Sequence, residues 1–581
     1  MKWDVKQELK VKSKELRTGK IVDIVLENRG VGTKSQKEEF LSPVKPEKLT
    51  PKMVGIDEAG LNKAINRIEK AIKDKDLIIV YGDYDADGIT GTAVLWETLY
   101  GLGAKALPFI PHRKKHGYGL SVAGVEELMQ EVRPRRGSGP QKPGLIITVD
   151  NGIVAQDAAD YVKKQGIDLI ITDHHVMPKK LPEALAIVHT TELSGAGVAF
   201  ILSKEILAKS KIPASPAGRK NPIRQTQGKQ KSKILNLLEL AAIGTIADMV
   251  ALKGANRSIA KFGLEAIRKT KRLGLVALFE QSAIKREEVD TYHINFVIAP
   301  RINAMGRLEH GLDSLRLLCT KDLKKAKDLA ALVGGTNQTR QDLTQELVDL
   351  ALGLVGKAPK EKLLIVEHEE FHEGVIGLVA GKLVETYYRP AIVIGRGEKV
   401  SKASARSITG VNIIELIRTQ ESWLVNAGGH PMAAGFTVEN EKLDQFKEEL
   451  MKEAEDRIEA GLLERSLEID CQIELSDISW DLFNNLRQLE PFGMANARPV
   501  FAMKNVEPLE VMKIGQEGKH LKLLLPSEIK GQTTLPALWF GWGSIADKLR
   551  GNISLAFSID ENTWNGRTEL QLRIRDINFK L

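Results

Sequence analysis

The sequence predicts an α/β protein. Its parts are a parallel-sheet domain, a long connecting helix, a smaller α/β domain and a C-terminal all-β barrel. Three observations carry this. From about residue 60, helical periodicity alternates with short apolar runs, as in parallel strands covered on both faces. A polar-rich helical stretch from about 313 to 356 separates this pattern from a second strand–helix–strand alternation. Beyond about 460 the texture changes to short strands with turn residues between them.

The elements follow in order. Residues 1–55 are mixed and charged, and Pro43, Pro46 and Pro51 mark them as an extension ending in a connector. The parallel-sheet domain is expected over 56–312. There "LNKAINRIEKAIKDKD" has helical spacing, "LIIVYGD", "GLIITVDNG" and "IDLIITDHH" read as buried strands, and "GTAVLWETLYGLG" reads as a helix stopped by glycine. Two basic segments interrupt it, "RPRRGSGPQKPG" at 133–144 and a stretch without acidic residues at 211–233. Both read as solvated loops. The connecting helix is expected over 313–357 and the smaller α/β domain over 358–458, with "KLLIVE" and "PAIVIG" as strands. The barrel is expected over 459–581, where "SLEIDCQIEL", "HLKLLLP", "LPALWFGW" and "LQLRIRDINF" fit an OB-fold.

Composition narrows the function classes. A net charge of +8 over 581 residues is compatible with an anionic partner without requiring one. Two cysteines, Cys319 and Cys471, give no disulfide framework and fit a reducing cytoplasm. No run approaches the roughly 18 apolar residues of a membrane span.

The chemistry gathers at the ends of the predicted strands. Asp83, Asp85 and Asp87 follow the first, Asp150 the second, and Asp173, His174 and His175 the third, while Asp248 follows the apolar run "LAAIGTIA". In open parallel sheets, sites form beyond the carboxyl ends of the strands. Carboxylates crowded there need a positive counterpart, and divalent cations supply one. Oxygen and nitrogen ligands without cysteine favour Mn²⁺ or Mg²⁺ over structural zinc. A calcium loop beginning at Asp83 is excluded, because its twelfth position is Val94 rather than glutamate. "HEEFH" at 368–372 matches a zinc-protease pattern, but it follows a predicted strand and reads as a loop, not a helix.

Further polar groups suit a phosphate or nucleotide. Ser404 and Arg406 lie in "SARS", and Gly428, Gly429 and His430 in "GGHPMAAGF". Arg301, Asn303 and Arg307 lie in "APRINAMGR", and Arg113 and Tyr118 in "PHRKKHGYG". Arginine can hold phosphate and an aromatic ring can stack on a base. In the barrel, Phe501, Trp539, Phe540 and Trp542 stand among Lys504, Lys513, Lys519 and Lys522, a pattern suited to single strands. Phe501 is the first of these expected in the core.

The blocks "YGDYDADGITG", "VDNGI", "TDHH", "IADMV", "APRINAMGRLE", "NQTRQ", "HEGVIGLVAGKL", "SARS", "GGHPMAAGF" and "LEPFGMANARPVF" together resemble the DHH phosphoesterase family. Within it they are most similar to its single-strand-specific DNA exonucleases. The resemblance covers nearly the whole chain, from "LENRGVGT" onward. It implies Asp85, Asp87, Asp150, His174, His175 and Asp248 as ligands of two divalent ions, with Asp83 and Asp173 in support. It implies Ser404, Arg406 and His430 as phosphate holders in a DHHA1-type lobe. Many members carry histidine where this chain has Tyr81, which leaves the first ion's ligand set open at that position.

The function expected from the resemblance is 5′→3′ hydrolysis of single-stranded DNA to mononucleotides, in repair and recombination, by a cytoplasmic monomer that clamps the strand between two lobes. Single-strand DNA-binding protein and a RecQ-type helicase are implied as partners. Two alternatives stand beside it. One is a phosphodiesterase acting on oligoribonucleotides or cyclic dinucleotides. The other is a non-catalytic replication-scaffold relative.

Overall fold

The computed structural model describes residues 1–7, 9, 14–132, 142–209 and 226–578. It falls into two compact units. One holds Val5–Gly334 with Ile469–Leu581, and the other holds Met1–Asp4 with Gly335–Glu468.

The larger unit contains a five-stranded, wholly parallel sheet. Its strands are β2 (Leu77–Tyr81), β3 (Lys105–Phe109), β4 (Leu145–Thr148), β5 (Asp168–Asp173) and β6 (Ala186–His189), in the order β3-β2-β4-β5-β6. β2 and β4 are buried along their whole length, which explains their unbroken apolar sequences. Alternate residues feed two layers. Ile78, Val80, Leu145 and Ile147 join the core on one face, and Leu77, Ile79, Tyr81 and Ile146 that on the other. The chain leaves β2 towards β3 on one side and later returns to β4 on the other. The order therefore reverses between β2 and β4, and a crevice opens beyond their carboxyl ends.

The same unit contains most of an eight-stranded sheet. It is formed by β1 (Lys2–Gln7), β12 (Ser466–Gln472), β13 (Phe501–Val506), β14 (Glu510–Ile514), β15 (His520–Pro526), β16 (Thr534–Trp539), β17 (Ile553–Trp564) and β18 (Arg567–Asn578). Its order is β1-β12-β13-β17-β18-β16-β15-β14. The segment over 1–55 contributes directly to this sheet's core. Ile21, Ile24 and Val25 of the helix Lys14–Asn28, with Phe40, pack among Cys471, Leu521, Leu555 and Phe557. Arg17 grips Asp477 at 2.5 and 2.7 Å, and Arg29 Nη1 donates to Asp470 at 2.7 Å.

A buried arginine joins these parts. Arg257, on the helix Gly254–Ile267, is 1% exposed. Its guanidinium donates to the carbonyls of Phe40, Leu489 and Glu490 at 2.7–2.9 Å and lies 3.8 Å from the Phe40 ring centre. Burial lowers its pKa to about 10. Arg257→Met keeps the apolar stem but strands these buried carbonyls, each worth about 1–3 kcal/mol when unsatisfied. The expected loss is about 3 kcal/mol or more, read as a lower urea midpoint. An unchanged midpoint would show that water or neighbouring groups replace the guanidinium.

The smaller unit is built on a mixed sheet of β7 (Leu364–His368), β8 (Ala391–Arg396), β9 (Val400–Arg406), β10 (Leu424–His430) and β11 (Ala433–Glu439), in the order β10-β11-β9-β8-β7. The connecting helix runs over Leu323–Val355, after a shorter helix at Leu312–Cys319. Of the two basic segments, 133–141 and 210–225 lie outside the described residues. Residues 226–233, read from sequence as loop, instead begin the helix Thr226–Ala247, because the apolar spacing of its later turns carries helical backbone back into the polar stretch.

Candidate metal centre and phosphate sites

The crevice between β2 and β4 collects the strand-end residues. Asp85 caps the helix Ala86–Gly101, accepting from the Gly88 amide at 3.0 Å, and so sets the start of the helix that carries Asp87. Asp87 is 2% exposed and accepts from the amides of Gly195 (2.6 Å) and Ala196 (3.0 Å) at the start of the helix Gly195–Lys209. Asp150 follows β4 with φ +64°, a left-handed turn that aspartate tolerates. Asp248 follows the helix Thr226–Ala247.

His174 sits among these carboxylates. Its Nε2 lies 3.1 Å from Asp150, 3.6 Å from Asp248 and 4.0 Å from Asp87. Three groupings bring ligand atoms within 4.8 Å of one another: Asp83, Asp85 and Asp150; Asp87, His174 and Asp248; and Asp150, His174 and His175. Asp150 and His174 each belong to two of them. Both oxygens of Asp83, with Asp150 Oδ1 and Asp248 Oδ2, are buried without a hydrogen-bond partner.

The electrostatics match that count. Burial, then the charge of Asp85, lifts Asp87 to about 7. Burial, then Asp87 and Asp85, lifts Asp248 to about 9. Asp83 and Asp150 are pushed well above the usual carboxylate range, by burial first and then by neighbouring carboxylates. Burial, then the neighbouring His175, lowers His174 to about 4, which keeps it a neutral donor of a lone pair. Orphaned buried oxygens and carboxylates that resist ionisation fit a site completed by divalent cations. The hard oxygen-rich donor set suits Mn²⁺ or Mg²⁺.

Two residues near the ligands have other partners. Tyr81 is fully buried and donates to the Gly119 carbonyl at 3.2 Å, with its ring 5.0 Å from that of Phe109. It packs into the apolar layer of that sheet face. Asp173 accepts from the amides of Ile153, His174 and His175, and from His175 Nδ1 at 2.7 Å. Burial opposes ionisation of Asp173, but these donors hold it below the ordinary carboxylate range. His175 Nε2 in turn meets the Tyr118 hydroxyl at 3.1 Å. Asp173 and Tyr118 together fix the His175 ring.

The other sequence-selected residues divide between the two units. In the larger one, Arg113 lies 5.4 Å over the Tyr84 ring, which makes an edge contact with Tyr118. Asn303 accepts from the Ala86 amide at 2.6 Å and so braces the first motif. Arg301 bonds Gln281 and the Val297 carbonyl, and Arg307 lies on the same helix, Ala299–Leu308.

In the smaller unit the register forms two rows. Ser404, Gly435 and Gly428 align across β9, β11 and β10, and Arg406, Ala433 and His430 align beside them. Both rows lie on one sheet face, since two-residue steps return to the same side. Gly429, φ +147°, faces the other way, and a side chain there would meet Ala433 and Ala434. Arg406 Nη1 donates to Ser404 at 3.2 Å. "HEEFH" ends β7 and continues as a turn, with His368 and His372 accepting from nearby backbone amides.

Sequence reasoning missed Gly195 and Gly244. A Cβ at Gly195 would collide with Asp150, and one at Gly244 with Asp87. The small-residue runs "SGAGVAF" and "AAIGTIA" carry that signal.

The fold and centre define a class: DHH proteins, whose parallel-sheet domain holds an aspartate–histidine metal centre. Family models match the DHH family N-terminal domain over residues 77–245, the DHHA1 domain over 360–459 and the RecJ OB domain over 469–576. The chain belongs to the RecJ family. It is 34% identical to the single-stranded-DNA-specific exonuclease RecJ of Bacillus subtilis, over 99% of this chain and 70% of that one. It is 32% identical to the Thermus thermophilus enzyme of the same name, over 91% and 73%. The crystal structure of T. thermophilus RecJ with Mn²⁺ superposes with a TM-score of 0.79 at 28% identity, covering all of this chain and 80% of that one. The Mg²⁺ complex gives 0.73.

Proposed function

We propose that this protein is a metal-dependent exonuclease that degrades single-stranded DNA from its 5′ end to mononucleotides, in repair and recombination. The observation that carries it is the convergence of Asp83, Asp85, Asp87, Asp150, His174, His175 and Asp248 at the reversal point of the parallel sheet. The relatives named single-stranded-DNA-specific exonucleases supply the substrate class.

Asp87, His174 and Asp248 would hold one divalent ion and Asp83, Asp85 and Asp150 the other, with His175 beside Asp150 and His174 as a further ligand. Two such ions lower the pKa of water and neutralise charge on a phosphodiester. The chain's own residues do the rest. The Gly195 and Ala196 amides fix Asp87 in one orientation. Asp173 and Tyr118 hold the His175 ring beside Asp150 and His174, where it would serve as a further metal ligand. In the smaller unit, Ser404, Arg406 and His430 bind a substrate phosphate on a face cleared by Gly428 and Gly435.

The intact ligand set argues against a scaffold without activity, and the C-terminal sheet against a phosphodiesterase of smaller architecture. No helix among the described residues is long and apolar enough to cross a membrane. The proposal includes a cytoplasmic monomer that works with single-strand DNA-binding protein and a RecQ-type helicase.

End-labelled DNA and RNA, single and double stranded, are digested with Mn²⁺, Mg²⁺ or chelator. Mononucleotides should appear from the 5′ label of single-stranded DNA, only with metal. Equal digestion of duplex, or release with chelator present, would overturn the proposal.

A further inference from the structure

The segment over 112–118 links β3 to the helix Val122–Glu131 and touches the metal centre at both ends. At its far end the Tyr118 hydroxyl lies 3.1 Å from His175 Nε2 and 3.4 Å from the Asp150 carbonyl. At its start Arg113 lies 5.4 Å over the ring of Tyr84, the residue between Asp83 and Asp85. Among the described residues, no hydrogen bond or ion pair engages the Arg113 guanidinium. Arg113 belongs to a four-residue turn, Arg113–His116, too short to hold its shape by its own backbone bonds. His116 closes that turn from within. It is 8% exposed, its Nδ1 accepts from the His112 amide at 2.9 Å, and its Nε2 lies 2.9 Å from a Glu127 carboxylate oxygen. A ring nitrogen that accepts from an amide carries no proton, so the ring proton sits on Nε2 and is donated to Glu127. The far end of the segment has its own hold, since the Tyr81 hydroxyl donates to the Gly119 carbonyl at 3.2 Å.

We propose that His116, locked by Glu127, is a positioning residue that holds this turn so that Arg113 stays over Tyr84 as a phosphate contact for the strand at the metal centre. It deepens the exonuclease reading and rests on it for the identity of the strand. Stacking occupies one face of the guanidinium and leaves its N–H edges for an anion. A long side chain loses freedom when it binds, and a backbone fixed in advance lowers that cost. The bonds through His116 tie the Arg113 end to the helix Val122–Glu131, while Tyr81 and His175 hold the Tyr118 end. The action of His116 therefore runs through Arg113 and not through the metal ligands.

The test is a double-mutant cycle on single-stranded DNA with Mn²⁺. His116→Leu removes both hydrogen bonds and should lower kcat/KM by about tenfold or more. In an Arg113→Ala background the same substitution should change little, because the group it positions is gone. Glu127→Leu should reproduce the loss from the helix side, and Glu127→Gln, which keeps an accepting oxygen, should recover most of it. The Mn²⁺-induced rise in melting temperature should match wild type in His116→Leu, a readout that damage to the metal ligands would move. Circular dichroism checks folding. Equal losses with and without Arg113 would mark a purely structural role and overturn the proposal, as would full activity in a folded His116→Leu variant. If His116→Leu does not fold, Glu127→Leu with and without Arg113→Ala decides in its place. The same cycle is read on strand binding by anisotropy with chelator present. Failure of the wild-type protein to cleave any strand would strike the exonuclease reading, and the binding cycle would then judge the role of His116 alone.

Discussion

Asp150→Ala lowers hydrolysis of single-stranded DNA by on the order of 10³-fold or more, with strand binding largely kept. Asp150 belongs to two groupings of possible ligands, so in the proposed centre its loss would remove a ligand from each. Loss of a mere outer partner of a metal site costs about 10–100-fold, which sets the scale to exceed. A second readout separates ligation from other roles. A ligand that binds only the folded state stabilises it by about 2.7 kcal/mol at a hundredfold excess over Kd. Wild-type protein should therefore melt higher on adding Mn²⁺, and Asp150→Ala should lose most of that rise. Without metal, relief of the crowding by Asp87, Asp85 and Asp248 opposes the strain of alanine in the left-handed turn, so the rise is read against the variant's own metal-free melting point. Near-normal cleavage, or an undiminished melting rise, would remove Asp150 from the centre. Asp87→Ala should behave alike in activity, though it also frees the Gly195 and Ala196 amides and so risks stability.

Much of this centre could be read from the chain because parallel strands write plainly. Runs such as "LIIVY" are apolar throughout because both faces of β2 are covered, and the residue types change abruptly where the strand leaves the sheet. Asp83, Asp150 and Asp173 stand at those changes. The fold class expected from the sequence is the one observed.

What periodicity does not encode is which distant segments meet. The pairing of Arg17 with Asp477 joins residues 460 positions apart, so the N-terminal helix reads as an extension although it fills the core of the C-terminal sheet. Nothing in the sequence around Arg257 marks it for burial, which arises only when Phe40 and Leu489 close over it. The barrel's aromatic residues show the same limit. Phe501 is fully buried, as expected, but Trp539 is also nearly buried at 8% exposure, stacked 4.5 Å from Trp542. Phe540 and Trp542 remain about half exposed, beyond the end of β16. Lys513 is held by Asp547 at 2.5 Å.

The second large effect is expected at Arg406, in the smaller unit. Its Nη1 donates to Ser404 and to the Ala405 carbonyl at 3.2 and 2.8 Å, contacts that fix the plane of the guanidinium. A Cβ on Gly377 would come within 2.9 Å of Nη2, so glycine there leaves the guanidinium room at the start of the helix Ile376–Tyr387. Across the sheet, Ala433 and then His430 occupy the same row, and Gly435 and Gly428 clear the row beside it. A planar fork so fixed can meet two phosphate oxygens at once. If Arg406 positions the reacting strand, Arg406→Ala should lower kcat/KM by on the order of 10²-fold or more, because a small misplacement far from the chemistry costs that much. Arg406→Lys should recover only part of it, since an ammonium offers charge without the fork. The Mn²⁺-induced melting rise should stay as in wild type, because Arg406 is no ligand, and that result separates this loss from the loss in Asp150→Ala. Kinetics on single-stranded DNA, with circular dichroism to confirm folding, decide the matter. Full activity in the Lys variant would show that a point charge suffices, and full activity in the Ala variant would remove Arg406 from the substrate site altogether.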